Sequence, residues 1–174
     1  MKIMFISDIH GISDNLSKIK EKYKEFNCNK LVVLGDIYNN YNYYDSNKDS
    51  VQDFLNDFKD NLMCVRGNCD SLIDLYDIPT QPVKELDLIK TNNLDIYITH
   101  GHIYNEDNWD KENTILIQGH THSPRINKKD NNIYINPGSI SLPRGDNLPS
   151  YLVFNEKEFI IYDILDNIIF EIVV

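Results

Sequence analysis

The sequence predicts a mixed α/β domain, and three observations carry that prediction. Its opening segment reads strand, helix, strand, the order of a parallel βαβ unit. Five apolar runs end directly, or within a residue or two, in a side chain whose oxygen or nitrogen can bind a metal. The closing segment reads as short strands joined by tight turns, an antiparallel meander.

The run Ile3 to Ile6 has the length and character of a buried strand, and it leads into Asp8 and His10. On a chain that stays extended, residues i and i+2 project to one side, so this pair reads as two converging donors. Ser13 is placed to cap a helix whose Leu16, Ile19, Tyr23 and Phe26 recur at spacings of three and four, with Asn27 as its stop. Lys30 to Leu34 is a second strand, followed by Gly35-Asp36. A polar loop, 39–48, lies among Tyr38, Tyr41, Tyr43 and Tyr44. Ser50 and Asp53 then have the spacing of a capping box, opening a helix with Val51, Phe54, Leu55 and Phe58 on its buried stripe. Leu62 to Val65 is a third strand, ahead of Gly67-Asn68-Cys69-Asp70.

Residues 71–82 read as a connection with Pro79 and Pro82. Val83 to Ile89 and Leu94 to Ile98 read as strands about an Asn92-Asn93 turn, the second ending in Thr99-His100-Gly101-His102. A short irregular or helical piece, 103–113, precedes the strand Thr114 to Ile117 and then Gly119-His120-Thr121-His122. Short strands at 125–128 and 132–135 flank Asp130-Asn131, and Asn136-Pro137-Gly138-Ser139 makes a turn that shapes the rim. Strands at 151–155, 158–165 and 168–174 close the chain, with Asp166-Asn167 as their last turn.

A length of 174 residues suits one domain, 1–174, large enough to bury a core. No apolar run approaches the ~18 residues of a membrane span, and a cytoplasmic location follows as the default. Three cysteines, Cys28, Cys64 and Cys69, without zinc-finger spacing argue against a disulfide framework. A formal net charge of −10 disfavours general nucleic-acid binding. A phosphate substrate then requires cations in the site to reverse the local field.

All five histidines lie in the motifs that end these strands. In α/β folds a ligand sits beyond the carboxyl ends of the strands, so donors remote in sequence can meet on one rim. Aspartate, asparagine and histidine together suit Mn²⁺, Fe²⁺, Zn²⁺ or Ni²⁺, and nothing thiolate-rich forces zinc.

Asp8-x-His10-Gly11, Gly35-Asp36, Gly67-Asn68-x-Asp70, His100-Gly101 and Gly119-His120-x-His122 resemble, in order, the pattern of the calcineurin-like metallophosphoesterases. The forms Gly-Asn-Cys-Asp, Thr-His-Gly-His, Gly-His-Thr-His and Asn-Pro-Gly-Ser are similar to those of its compact YfcE-type phosphodiesterase branch. The resemblance implies a four-layer αββα sandwich carrying two divalent ions, with manganese favoured. Asp8, His10, Asp36 and His122 would hold one ion; Asp36, Asn68, His100 and His120 would hold the other, with Asp36 shared. It implies hydrolysis of a small phosphodiester by water activated between the ions, with no protein nucleophile. Cys69 stands where many relatives carry a proton-donating histidine, with Asp70 orienting its turn and His102 behind His100. A phosphomonoesterase on the same core is the alternative activity, and a protein-interaction scaffold, as in the small subunit of retromer, is the alternative role. Arg66, Arg144 and the tyrosine loop are candidate substrate contacts. A homodimer, through the tyrosine loop or an edge of the closing meander, is a further expectation.

Overall fold

The computed structural model describes residues 1–38, 47–80, 83–91 and 93–174. The Tyr41–Tyr44 stretch, Pro82 and the Asn92 half of its turn lie outside the described residues. Strands β1 (Ile3–Ile6), β2 (Lys30–Val33) and β3 (Leu62–Cys64) alternate with helices α1 (Leu16–Glu25) and α2 (Lys48–Asp57), and a short helix α3 (Leu72–Tyr76) follows β3. Five strands come next: β4 (Leu86–Lys90), β5 (Asp95–Thr99), β6 (Ile115–Ile117), β7 (Arg125–Lys129) and β8 (Asn132–Asn136). The chain closes with β9 (Ser150–Phe154), β10 (Glu158–Asp163) and β11 (Ile168–Val173).

These strands form two mixed sheets, ordered β11-β10-β9-β1-β2-β3 and β4-β5-β6-β8-β7. The βαβ reading holds, since β1 pairs parallel to β2 and β2 to β3. The closing meander is antiparallel as read, and it joins the first sheet because β9 runs antiparallel beside β1. In the second sheet β5, β6 and β8 are parallel, with β4 and β7 antiparallel at the edges.

Alternation within buried strands builds two cores. Met4, Ile6, Leu31, Val33, Leu62 and Cys64 face the helices, meeting Leu16, Ile19, Val51, Phe54 and Leu55. Ile3, Phe5, Val32 and Leu34 face the other way, onto Ile96, Ile98, Ile115, Ile117 and Ile135 of the second sheet. The outer face of that sheet is covered by the irregular segment 102–113. Trp109 packs edge-on to Tyr97 with ring centroids 5.0 Å apart, and Glu106 reaches Arg125 and Asn127. An isolated Val65–Lys84 bridge stitches the sheets together beside β3.

Local sequence signals misplaced three helix features. Ser13 and Ser50 do not cap: α1 begins after Asn15 and α2 after Asn47, neither with a side-chain cap bond, and Ser50 lies inside α2. The buried Leu16 and Val51 faces fix where these helices dock, and that packing outweighs a cap signal. Helix α3 was read as plain connection; five residues are too few to show helical periodicity, although Ser71 accepts from the Asp74 amide at its start.

Candidate metal centre

The parallel strands of both sheets deliver their carboxyl ends to one rim, where Asp8, Asp36, Asn68, His100, His120 and His122 assemble. Asp8 and His10 do not converge by staying extended, as the sequence reading supposed. Strand β1 ends at Ile6, and the backbone then enters the left-handed region. Asp8, His10, Asp36, His120 and His122 all have positive φ, between 49° and 69°. Non-glycine residues adopt this conformation at a cost of roughly 1–3 kcal/mol each, which only surrounding structure can hold. Here the two strand-end loops hold each other. The Asp8 amide donates to Gly35 O at 3.2 Å, the His10 amide to Asp36 O at 2.8 Å, and the Gly11 amide to Ile37 O at 2.9 Å.

Ligand atoms of Asp8, His10, Asp36 and His122 all lie within 4.8 Å of one another, and all four residues are buried. His122 Nε2 is 3.2 Å from both Asp8 Oδ1 and His10 Nε2. Asp36 Oδ2 lies between this group and the next, 3.6 Å from His10 Nε2 and 3.3 Å from His100 Nε2. His100 Nε2 is 3.1 Å from Asn68 Oδ1, and the His120 ring centroid is 5.1 Å from that of His100. The His120 amide donates to Asp8 Oδ2 at 3.1 Å, tying the two sheets together across the rim.

Hydrogen bonding shows that these donors suit a cation. His100 Nδ1 lies 2.7 Å from Leu34 O and His122 Nδ1 lies 2.6 Å from Leu142 O. A carbonyl only accepts, so each Nδ1 carries the proton and each Nε2 points its lone pair inward. His100 Nε2 then faces Asn68 Oδ1, acceptor against acceptor. His122 Nε2 likewise faces Asp8 Oδ1, a buried oxygen with no hydrogen-bond partner. Such pairs need a metal ion or an extra proton between them. Burial pushes the His100 and His122 pKa values down, but hydrogen bonds and charge from Asp36 and Asp8 respectively outweigh it and hold both rings above their ordinary value. Burial lowers His10 and His120, leaving those nitrogens unprotonated for a metal. At Asp36 burial pushes upward, yet the His100 bond and charge, the Cys69 amide and the His10 charge together outweigh it and hold the carboxyl well below the usual range.

The other singled-out residues sit around this core in different ways. Asp70 is buried, and its carboxylate is taken up by the amides of Ile37 at 2.8 Å, Tyr38 at 3.1 Å and Gly67 at 2.8 Å. It is buried against these three amides, with no free face for substrate. Cys69 donates its amide to Asp36 Oδ1 at 2.8 Å, and burial, then the Asp36 charge, pushes its thiol up to about 12. His102 stands beside His100 with ring centroids 5.3 Å apart, and its Nε2 is 3.6 Å from Glu85 Oε2. Glu85 was missed by the sequence reading. It also meets Arg66 Nη1 at 3.1 Å, so Arg66 is engaged within the protein. No spacing signal marks Glu85, because it precedes a strand rather than following one. Arg144 is exposed, with its amide donating to His122 O at 3.2 Å.

The Asn136–Ser139 turn braces the rim. Asn136 Nδ2 donates to Gly119 O at 2.6 Å and to Thr121 Oγ1 at 3.0 Å, while its Oδ1 accepts from the Gly138 amide at 2.8 Å. Ser139 Oγ donates to Asp8 O at 2.8 Å. Asn136→Ala leaves the Gly138 amide without a partner and takes from Gly119 O one of its two donors, the other being the Thr121 amide, an expected cost of about 2–4 kcal/mol. That corresponds to a fall of roughly 4–16 °C in Tm, read by calorimetry. A shift below about 2 °C would show that the turn does not brace the loop.

Oxygen and nitrogen donors gathered at the carboxyl ends of two facing mixed sheets, four of them buried, define a class: a metal-dependent enzyme built on an α/β sandwich. The chain belongs to the calcineurin-like phosphoesterase superfamily, whose domain model matches residues 1–158. It is 34% identical over 163 residues to phosphodiesterase YfcE of Escherichia coli K12, covering 87% of this chain and 85% of that protein. The solved structure of E. coli YfcE, a phosphoesterase, superimposes with a TM-score of 0.92 over 100% of both chains at 28% identity. The probable metallophosphoesterase YsnB of Bacillus subtilis is 26% identical, covering 88% of this chain and 83% of that one. Vacuolar Protein Sorting 29 of Cryptosporidium parvum shares the fold, with a TM-score of 0.67 at 19% identity over 99% and 98% of the two chains.

Proposed function

We propose that this chain is a metal-dependent phosphodiesterase acting on small phosphodiesters. The observation that carries the reading is the facing of acceptor against acceptor at His100–Asn68 and His122–Asp8, in a family of phosphoesterases. Asp8, His10, Asp36 and His122 would hold one divalent ion and Asp36, Asn68, His100 and His120 a second, with manganese favoured by the resemblance. Divalent cations bound there supply charge that acidifies water and neutralises the phosphoryl oxygens. The Leu34 and Leu142 carbonyls fix the ring orientation of His100 and His122, so the inward nitrogens need not reorganise when a metal arrives.

Cys69 lies beside the cluster, and its raised pKa keeps the thiol protonated at neutral pH, which makes it a poor nucleophile. Water acidified by the bound cations would be the nucleophile, as the family resemblance implies. A thiol held so far above neutrality is also a weak acid toward a leaving alkoxide, which favours diesters with good leaving groups. Cys69→His should raise turnover of an alkyl diester at least about tenfold relative to a nitrophenyl diester. Unchanged rates on both would count against any role for this position. His102, leaning on Glu85, would support His100 from behind, and Asp70 would set the turn.

The function itself is tested by comparing a bis-aryl diester with an aryl monoester, with added Mn²⁺ and after chelation. We expect diester turnover that depends on added metal and exceeds monoester turnover. A monoester hydrolysed far faster would make the chain a phosphomonoesterase, and absence of both metal binding and hydrolysis would favour the scaffold role. The proposal extends to one domain over residues 1–174 and to a cytoplasmic location, the latter supported by the unpaired Cys28, Cys64 and Cys69. Among the described residues, no helix is long and apolar enough to cross a membrane.

A further inference from the structure

Ser139 is fully buried in the turn that follows β8, and its hydroxyl is engaged at every bonding position it has. A hydroxyl offers one proton and two lone pairs. The proton goes to Asp8 O at 2.8 Å, and the lone pairs accept from the Ser141 amide at 3.1 Å and the Leu142 amide at 2.7 Å. The main chain beside it is anchored independently of this side chain. The Ile140 amide donates to Ser7 O at 3.1 Å, and the Ser150 amide donates to Ser139 O at 3.1 Å.

These bonds reach two donors of one ion site. On one side, Asp8 has a left-handed backbone, φ 56°, that outside contacts must hold, and Ser139 is the contact at its carbonyl. On the other side, Leu142 O accepts from His122 Nδ1 at 2.6 Å, and the Arg144 amide donates to His122 O at 3.2 Å. The link therefore runs from Asp8 through the Ser139 hydroxyl and the main chain of Leu142 to the His122 ring. Its two ends, Asp8 Oδ1 and His122 Nε2, face each other 3.2 Å apart. Both are acceptors, so they repel until a cation lies between them.

His100 is placed differently. Its ring is held by Leu34 O, just past β2, where the Leu34 amide donates to Ile6 O at 2.9 Å and the side chain lies in the core between the sheets. Leu142 belongs to no strand or helix and is 42% exposed, so its carbonyl depends on the Ser139 hydroxyl more than on packing.

We propose that Ser139 is the positioning residue of the ion site made by Asp8, His10, Asp36 and His122. The inference rests on the metal-dependent function proposed above. Ser139 touches neither metal nor substrate. It holds Asp8 and His122 at the separation a cation needs, so that binding does not have to draw two repelling acceptors together. Neither His100 nor His120 hangs its ring on this link; the tie to that side is the His120 amide on Asp8 Oδ2.

The test reads the histidine ring nitrogens of the whole chain by NMR, first without metal and then as Zn²⁺, which suits this donor set, is added. Without metal, at alkaline pH, wild-type His122 should be the Nδ1–H form alone. Ser139→Ala should mix its two neutral forms while His100 stays as it was. In Ser139→Ala the Zn²⁺ concentration that shifts the His10 and His122 Nε2 signals should rise about 10–100-fold, against about threefold or less for His100 and His120. Ser139→Cys keeps the volume with a weak donor and should give the same selective loss. Ser150→Ala is the control. It removes a buried hydroxyl bond of the same turn, to Pro137 O at 2.6 Å, and should lower Tm without changing Zn²⁺ binding at any of these rings. Wild-type rings that never respond to Zn²⁺ would sink the metal-dependent function, and the inference with it. Wild-type rings that respond, with Ser139→Ala matching them, would overturn the inference alone. So would an equal loss at all the rings, or the same selective loss in Ser150→Ala. Failure of both Ser139 variants to fold with Zn²⁺ present would overturn it too, since the hydroxyl would then hold the fold rather than the donors.

Discussion

Asp36→Ala is expected to lower metal-dependent diester turnover at least about 10³-fold and to reduce bound metal more than any other single change at the rim. The reason is position. Asp36 Oδ2 lies 3.6 Å from His10 Nε2 and 3.3 Å from His100 Nε2, so it is the one carboxylate reaching both donor groups. Its other oxygen takes the Cys69 amide at 2.8 Å, which aims Oδ2 at the two rings. Removing the side chain also removes the charge that keeps the His100 pKa high. Asp36→Asn keeps volume and one acceptor but not the charge, so it should retain the fold and still lose most metal. Metal per chain by mass spectrometry and kcat/KM on a bis-aryl diester read the two effects separately. A variant within tenfold of wild type on both would mean that Asp36 is a structural brace rather than a shared donor. Asp8→Ala, by contrast, removes a carboxylate placed against the rings of His10 and His122, along with the acceptor of the His120 amide, and its expected loss of metal is smaller.

Much of this site was legible in the sequence because donor identity and strand order are local facts. Five apolar runs, each meeting a donor, are enough to put Asp8, Asp36, Asn68, His100 and His120 on a common rim. The way the donors converge was not legible. The left-handed backbone at Asp8, His10, Asp36, His120 and His122 is held by hydrogen bonds between loops distant in sequence, and although aspartate and histidine adopt it more often than most residues, that bias is too small to announce it. The extended-chain argument for Asp8 and His10 therefore reached the right pair by the wrong geometry. The cap signals at Ser13 and Ser50 failed for a related reason, since burial of Leu16 and Val51 sets the helix start. Glu85 was invisible because its importance lies in a side-chain contact with His102 and Arg66 across the rim.

Gly67→Ala is expected to destabilise the fold by about 3 kcal/mol or more and to disturb the metal centre at the same time. A Cβ at this position would fall onto the backbone amide and Oδ1 of Asp36 and 2.9 Å from its Cα. Those atoms cannot swing aside as the end of a flexible side chain would. Oδ1 is held by the Cys69 amide, and the Gly67 amide is itself held by Asp70 Oδ2 at 2.8 Å. The loops after β2 and β3 must therefore separate, which pulls Asp36 away from Asn68 and His100. Gly145 supplies the contrast. Its φ is +66°, but the nearest atom to an added Cβ is Asn147 Nδ2 at 3.9 Å, so Gly145→Ala meets strain without crowding. Strain of that kind costs about 1–2 kcal/mol. Thermal unfolding of the two variants should thus separate clearly, with Tm falling roughly 6–12 °C for Gly67→Ala and about half as far or less for Gly145→Ala. Metal content should drop only in the first. Equal Tm shifts, or a Gly67→Ala protein that keeps its full metal content, would show that the two strand-end loops can part without moving Asp36. The close approach of backbone to carboxylate would then not be what positions the shared donor.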